Sequence, residues 1–160
     1  MKENLLLKKI FKIRPLVILG IGSELRSDDG WAYHFINELN KFIPKNVYCI
    51  WTGTVPENFI SVIAKLVPKE VIICDAGNFN SIPGTYRIFT CNRITDTELY
   101  LTHKLPLKFL SQMIHESIEC SIHFLLMQPA TVEVSEQLSL QVKKSINKLV
   151  SELKNDCLKK

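Results

Sequence analysis

Asp28 and Asp29 stand at a helix start, just past the loop that follows the apolar run of residues 16–19. Asp75 follows directly on a second apolar run, residues 71–74. His103 lies in a polar loop just ahead of the helix that Pro106 can begin. In an open α/β sheet, sites form beyond the carboxyl ends of the strands, and all three segments meet that condition. Carboxylates from separate strand ends plus one imidazole suit a metal such as nickel or zinc, with open positions for water or a substrate group. Each residue also has a plain role. An acidic pair favours the positive end of a helix dipole. An aspartate after a strand caps the turn. A loop histidine is solvated or hydrogen-bonded.

Other chemistries lack their residues. Gly20 and Gly22 begin like a dinucleotide fingerprint, but Leu25 stands where the third glycine belongs. Asp28 and Asp29 would also repel a pyrophosphate at that helix start. No Gly-Lys-Ser/Thr, Gly-x-Ser-x-Gly or His-Glu-x-x-His is present. His34, His115 and His123 belong to no ligand motif and read as structural. The five cysteines form no Cys-x-x-Cys pair. Cys49, Cys74 and Cys120 fall in or beside apolar runs and act as small hydrophobes. Cys91 and Cys157 read as more exposed, with nothing to mark a nucleophile.

The elements that must position these side chains are legible. Residues 16–19 and 71–74 are apolar throughout, as in strands buried on both faces of a parallel sheet. Residues 47–51 and 122–127 supply two more strands, and residues 86–89 a shorter one fit for an antiparallel edge. Trp31, Phe35, Leu39 and Phe42 recur at helical spacing, with Ser27 as the expected N-cap and Pro44 as the stop. Further helices carry Phe59, Ile60, Ile63 and Leu66; Leu107, Leu110 and Ile114; and Leu138, Val142, Ile146, Leu149 and Leu153. The order β-α-β-α-β-β-α-β-α predicts an α/β fold: a three-layer α/β/α sandwich on a five-stranded, mostly parallel twisted sheet with one antiparallel strand.

The 160 residues suit a single domain spanning 1–160, with 1–14 as a basic N-terminal extension. Hydrophobic residues make up 46% and charged residues 22%, so the chain can bury a core without disulfides or structural metal. Any metal would then serve function. The net charge of +4 is concentrated toward the two ends, which read as solvated. No basic stripe interleaved with aromatics supports nucleic-acid binding. No apolar run approaches the roughly 20 residues of a membrane span, and Leu5-Leu6-Leu7 is too short for a signal sequence. Together with the reduced cysteines this predicts a cytoplasmic protein.

Five segments, in order, resemble the hydrogenase maturation endopeptidases. The family opens with a strand, Gly-x-Gly-Asn, a spacer and Asp-Asp/Glu-Gly; here stand Gly20-Ile21-Gly22-Ser23 and Ser27-Asp28-Asp29-Gly30. Thr54-Val55-Pro56-Glu57-Asn58 is similar to its Ala-Pro-Glu-Asn. Cys74-Asp75-Ala76, followed by Pro83-Gly84, is similar to its strand ending in Asp-Ala. Thr102-His103-Lys104-Leu105-Pro106-Leu107 resembles its Thr-His-x-x-Pro-Leu, in the form of the branch acting on formate-hydrogenlyase-type hydrogenases and their archaeal relatives. Gln128-Pro129 resembles its late Gln-Pro. Ser23 departs from the usual Asn, Ser27 from a frequent Gly, and Ala130 from a common acidic residue.

The resemblance implies a metal-contacting set of Asp29, Asp75 and His103, which would also be the catalytic set. It implies an endopeptidase, metal-dependent or aspartic in type, that removes the C-terminal extension of a [NiFe]-hydrogenase large-subunit precursor after nickel insertion. The nickel would come with the precursor, and the protein would act as a monomer without nucleic-acid or membrane partners. The rival reading is a nickel-binding accessory protein that docks on the precursor without cutting it. The expected site is an exposed, cation-seeking pocket at the edge of the sheet.

Overall fold

The structure, a computed structural model, describes residues 2–90, 100–101 and 107–158. Helix α1 (Lys2–Ile10) leads into strand β1 (Leu16–Gly20), helix α2 (Trp31–Leu39) and strand β2 (Val47–Trp51). Helix α3 (Ile60–Lys65) precedes β3 (Glu70–Asn78), β4 (Tyr86–Thr90) and the two-residue β5 (Tyr100–Leu101). Helix α4 (Leu107–Ser117), strand β6 (Ser121–Met127) and helix α5 (Leu140–Leu158) complete the described chain. Single 3-10 turns stand ahead of α2 (Ser27–Gly30) and α3 (Pro56–Phe59).

The principal sheet runs β2-β1-β3-β6-β4. The first four strands are parallel, and β4 pairs antiparallel with β6. This is the expected five-stranded mixed sheet with one antiparallel edge. β3 extends past its apolar run because Gly77 and Asn78 pair antiparallel with Leu101 and Tyr100 of β5. That small addition gives no signal of its own in the sequence.

Two cores sandwich the sheet. Ile18, Ile72, Cys74 and Leu125 face one core, with Trp31 and Phe35 of α2 and Val142, Ile146 and Leu149 of α5. Val17, Ile73, Phe124 and Leu126 face the other, with Ile63 of α3 and Leu110 and Ile114 of α4. Every side chain of β1 is buried, as its unbroken apolar run requires of a central strand. Among the described residues no helix is long and apolar enough to cross a membrane.

The N-terminal segment departs from expectation. The described part of this segment is not a solvated extension, because α1 buries Leu7 and Ile10, with Phe11 just beyond its end, in the first core and packs against β4. These three stand at positions i, i+3 and i+4, so one helical face is apolar while Lys8, Lys9 and Lys12 point elsewhere. Polar contacts fasten α1 to α5. Asn4 Nδ2 donates to Glu152 Oε2 at 2.6 Å, and Lys8 pairs with Asp156 at 3.6 Å.

The helix ends shift modestly. α2 stops at Leu39, ahead of Pro44, and α5 begins at Leu140, leaving Leu138 in the preceding loop but packed on the core. The buried and half-buried thiols behave as hydrophobes. Burial pushes Cys49 up to about 12 and Cys120 up to about 11, and raises Cys74 well above the usual thiol range. None is a ready nucleophile at neutral pH.

Candidate active site

The chain leaves β1 toward β2 on one side and later returns to β3 on the other. The carboxyl ends of β1 and β3 therefore flank the topological switch point, where a doubly wound sheet opens a crevice. Asp29 belongs to the 3-10 turn after β1, and Asp75 lies in the carboxyl-terminal part of β3. Ile21 N donates to Cys74 O at 2.9 Å, which extends the β1–β3 pairing up to the residue before Asp75. The Asp29 turn packs against β3.

Glycine is required at the start of this loop. Gly22 has φ +149°, and a Cβ there would stand 2.0 Å from the carbonyl oxygen of Asp29. Backbone meets backbone at that point, so no side chain can swing away. Next to it, Ser23 N donates to Asp29 Oδ2 at 2.9 Å and fixes that carboxylate. Gly22→Ala should therefore displace the Asp29 turn, at a cost of about 2–3 kcal/mol. Calorimetry is expected to show a melting point lower by roughly 4–12 °C.

Asp75 alternates along β3 with Val71 and Ile73, which places it on the sheet face of the second core. Its Oδ1 accepts from Ala76 N at 2.7 Å. Asp29 is 1% exposed and Asp75 0%. The expected exposed pocket is thus corrected: both carboxylates lie beneath the surface. Burial makes a carboxylate's charge costly unless hydrogen bonds or a cation accompany it.

His103 lies outside the described residues. Among the described residues no group of three or more His, Cys, Asp or Glu is placed to hold a metal. Asp29 and Asp75 are the two oxygen ligands that the described part contributes to the expected set. His123 is structural as expected, since its Nε2 stands 2.8 Å from Glu70 Oε2 at the opposite edge of the sheet.

Two residues do more than the sequence suggested. Asp28 is more than a helix-start acid, although it does stand in the first turn of the 3-10 helix. It is fully buried, and its carboxylate accepts from Ala130 N (2.8 Å), Thr131 N (3.3 Å), Ser139 N (2.8 Å) and Ser139 Oγ (2.8 Å). It clips the loop after β6 to the loop that carries Asp29. Ser27 is not an N-cap, because its hydroxyl donates to Gln137 O at 2.9 Å in that same loop. Gln128 is the second. Its Oε1 accepts from Phe79 N (2.9 Å) and Ser81 N (3.3 Å), holding the loop that follows β3. Motif order pointed to Gln128, but only this geometry gives its task.

The comparisons with known proteins agree with this arrangement. The family model described as HycI, hydrogenase maturation protease, matches residues 33–156. Hydrogenase 3 maturation protease of Escherichia coli K12 is 30% identical over 138 residues, covering 86% of this chain and 87% of that protein. A Methanocaldococcus jannaschii chain carrying the name of a hydrogenase maturation protease is 30% identical over 161 residues, 94% of each chain. The crystal structure of the [NiFe] hydrogenase maturation protease HycI from Thermococcus kodakarensis KOD1 superposes with a TM-score of 0.83 at 25% identity, covering 95% of this chain and 98% of that one.

Proposed function

Because the chain belongs to the hydrogenase maturation protease family, we propose that it is the endopeptidase that removes the C-terminal extension of a [NiFe]-hydrogenase large-subunit precursor once nickel is seated. The observation that carries this reading is that Asp29, in the turn after β1, and Asp75, toward the carboxyl end of the adjacent parallel strand β3, flank the same switch point. His103 completes the proposed set. The nickel is part of the substrate and arrives with the precursor.

In this reading the two carboxylates and the imidazole reach the precursor's nickel and so hold the scissile bond in register. Such positioning removes much of the entropic barrier to hydrolysis. Asp29 is the first choice for the general base on the attacking water. The backbone N–H of Ser23 holds its Oδ2, which keeps the carboxylate oriented. Burial of both acids favours cation binding, since an arriving metal offsets the cost of keeping them charged.

The test is cleavage of matched precursors followed by mass spectrometry. The nickel-loaded precursor should lose its tail, and the nickel-free precursor should remain whole over the same period. Equal cleavage of both would reject nickel gating. Stable binding to the loaded precursor with no change in its mass would instead establish the accessory-protein reading.

A further inference from the structure

The four described connections that leave the carboxyl ends of β1, β2, β3 and β6 share two features. Each exposes one large aliphatic side chain. These are Leu25 (59% exposed), Val55 (43%), Ile82 (76%) and Val134 (89%). Isolated exposed aliphatics are ordinary. Here one stands on every described connection that surrounds the buried pair Asp29 and Asp75.

The connections are also bound to one another. Gly22 N donates to Gly53 O (3.0 Å), Ser135 N to Leu25 O (3.0 Å), and Gly84 N to Gln128 O (2.9 Å). With the Asp28 clip, they form one continuous rim rather than four independent loops.

The second feature is charge. These connections expose Glu24, Glu57, Glu133 and Glu136. Of the chain's 20 lysines and arginines they carry Arg26 alone, and its Nε is engaged by Val132 O at 3.2 Å. The opposite edge is reversed. The connections entering β1, β2 and β3 carry Lys12, Arg14, Lys41, Lys45 and Lys69 and no acidic residue, while the one entering β6 carries Glu119. In a chain with net charge +4, these described connections thus present a net negative, aliphatic-studded surface.

We propose that this rim is the docking surface for the precursor, and that it takes a region of the precursor bearing cationic side chains beside aliphatic ones. The inference rests on the function proposed above and adds the chemistry of the contact. Opposite charge steers encounter and fixes orientation. Aliphatic anchors slow release, in the way apolar contacts at the centre of an interface do. Because both acids are covered, a partner meets the rim before it meets Asp29 or Asp75.

The test measures binding of nickel-loaded precursor and, separately, KM and kcat for its cleavage. Two rim variants, Glu133→Lys/Glu136→Lys and Leu25→Ser/Val134→Ser, are compared with Lys41→Glu/Lys45→Glu on the opposite edge. All six side chains are exposed, apart from the site and the core. Each rim variant should raise KM and Kd about tenfold, with kcat within about twofold of wild type. Wild-type binding should weaken as salt rises, and the charge-reversed rim should lose that dependence. The opposite-edge variant should match wild type. Rim variants that bind and cleave with wild-type Kd and KM overturn the proposal, as does an equal loss from the opposite edge. Failure of the wild type to bind also overturns it. Binding without cleavage would remove the endopeptidase reading and leave the rim to be judged by Kd alone.

Discussion

Asp75→Asn is expected to lower kcat/KM for the nickel-loaded precursor by about a thousandfold or more, with the fold and melting curve retained. The amide keeps the shape of the carboxylate and can still accept from Ala76 N through its oxygen. What it loses is the charge. A neutral amide at this buried position is a weak ligand for a hard cation and cannot serve as a base. Removing a buried charge also spares its desolvation cost, so stability should hold or rise slightly. Asp29→Asn should behave in the same way, because Ser23 N can donate to an amide oxygen as well as to a carboxylate. His103→Ala should be equally inactive if the imidazole completes the set. Steady-state cleavage assays and circular dichroism on the three proteins decide the matter. Full activity in any one of them removes that residue from the set. A molten fold in Asp75→Asn would reassign Asp75 to structure.

Asp28→Ala should produce the largest loss of stability among the polar substitutions, about 3–5 kcal/mol. The change removes four hydrogen bonds to a buried anion, each donor coming from residues 130–139. Hydrogen bonds to charged groups contribute about 1.5–3 kcal/mol apiece, and buried donors left without a partner add their desolvation cost. The loop relaxes and recovers part of this through water. The melting point should fall by roughly 6–20 °C. Hydrogen exchange should localise the damage, with amides of Ala130 and Ser139 losing protection and those of β1 and β3 keeping it. If the amides of Ala130 and Ser139 stay protected, the clip is not what holds this loop.

The contrast between Asp28 and Asp29 shows what the sequence could and could not convey. The loop after β1 was legible from Gly20, Gly22 and the acidic pair, since those residue types have local reasons to occur there. Asp28's true partners lie more than a hundred residues downstream, and no spacing rule reaches that far. The strands β1 and β3 were plain because both of their faces are apolar, whereas β5 is two residues long and exists only through its pairing with Gly77 and Asn78. The first helix is hard to read for a different reason. Its lysines suggest a solvated segment, while Leu7, Ile10 and Phe11 at i, i+3 and i+4 form the apolar face that is buried. The carboxyl-edge positions of Asp29 and Asp75 followed from topology; their burial did not, because depth depends on how neighbouring loops fold over them.

The fastening of α1 to α5 ties together segments 148 residues apart, through Asn4 to Glu152 and Lys8 to Asp156. Leu7, Ile10 and Phe11 share one core with Leu149 and Leu153, so the two helices should open and close as a single cooperative unit, losing amide protection together.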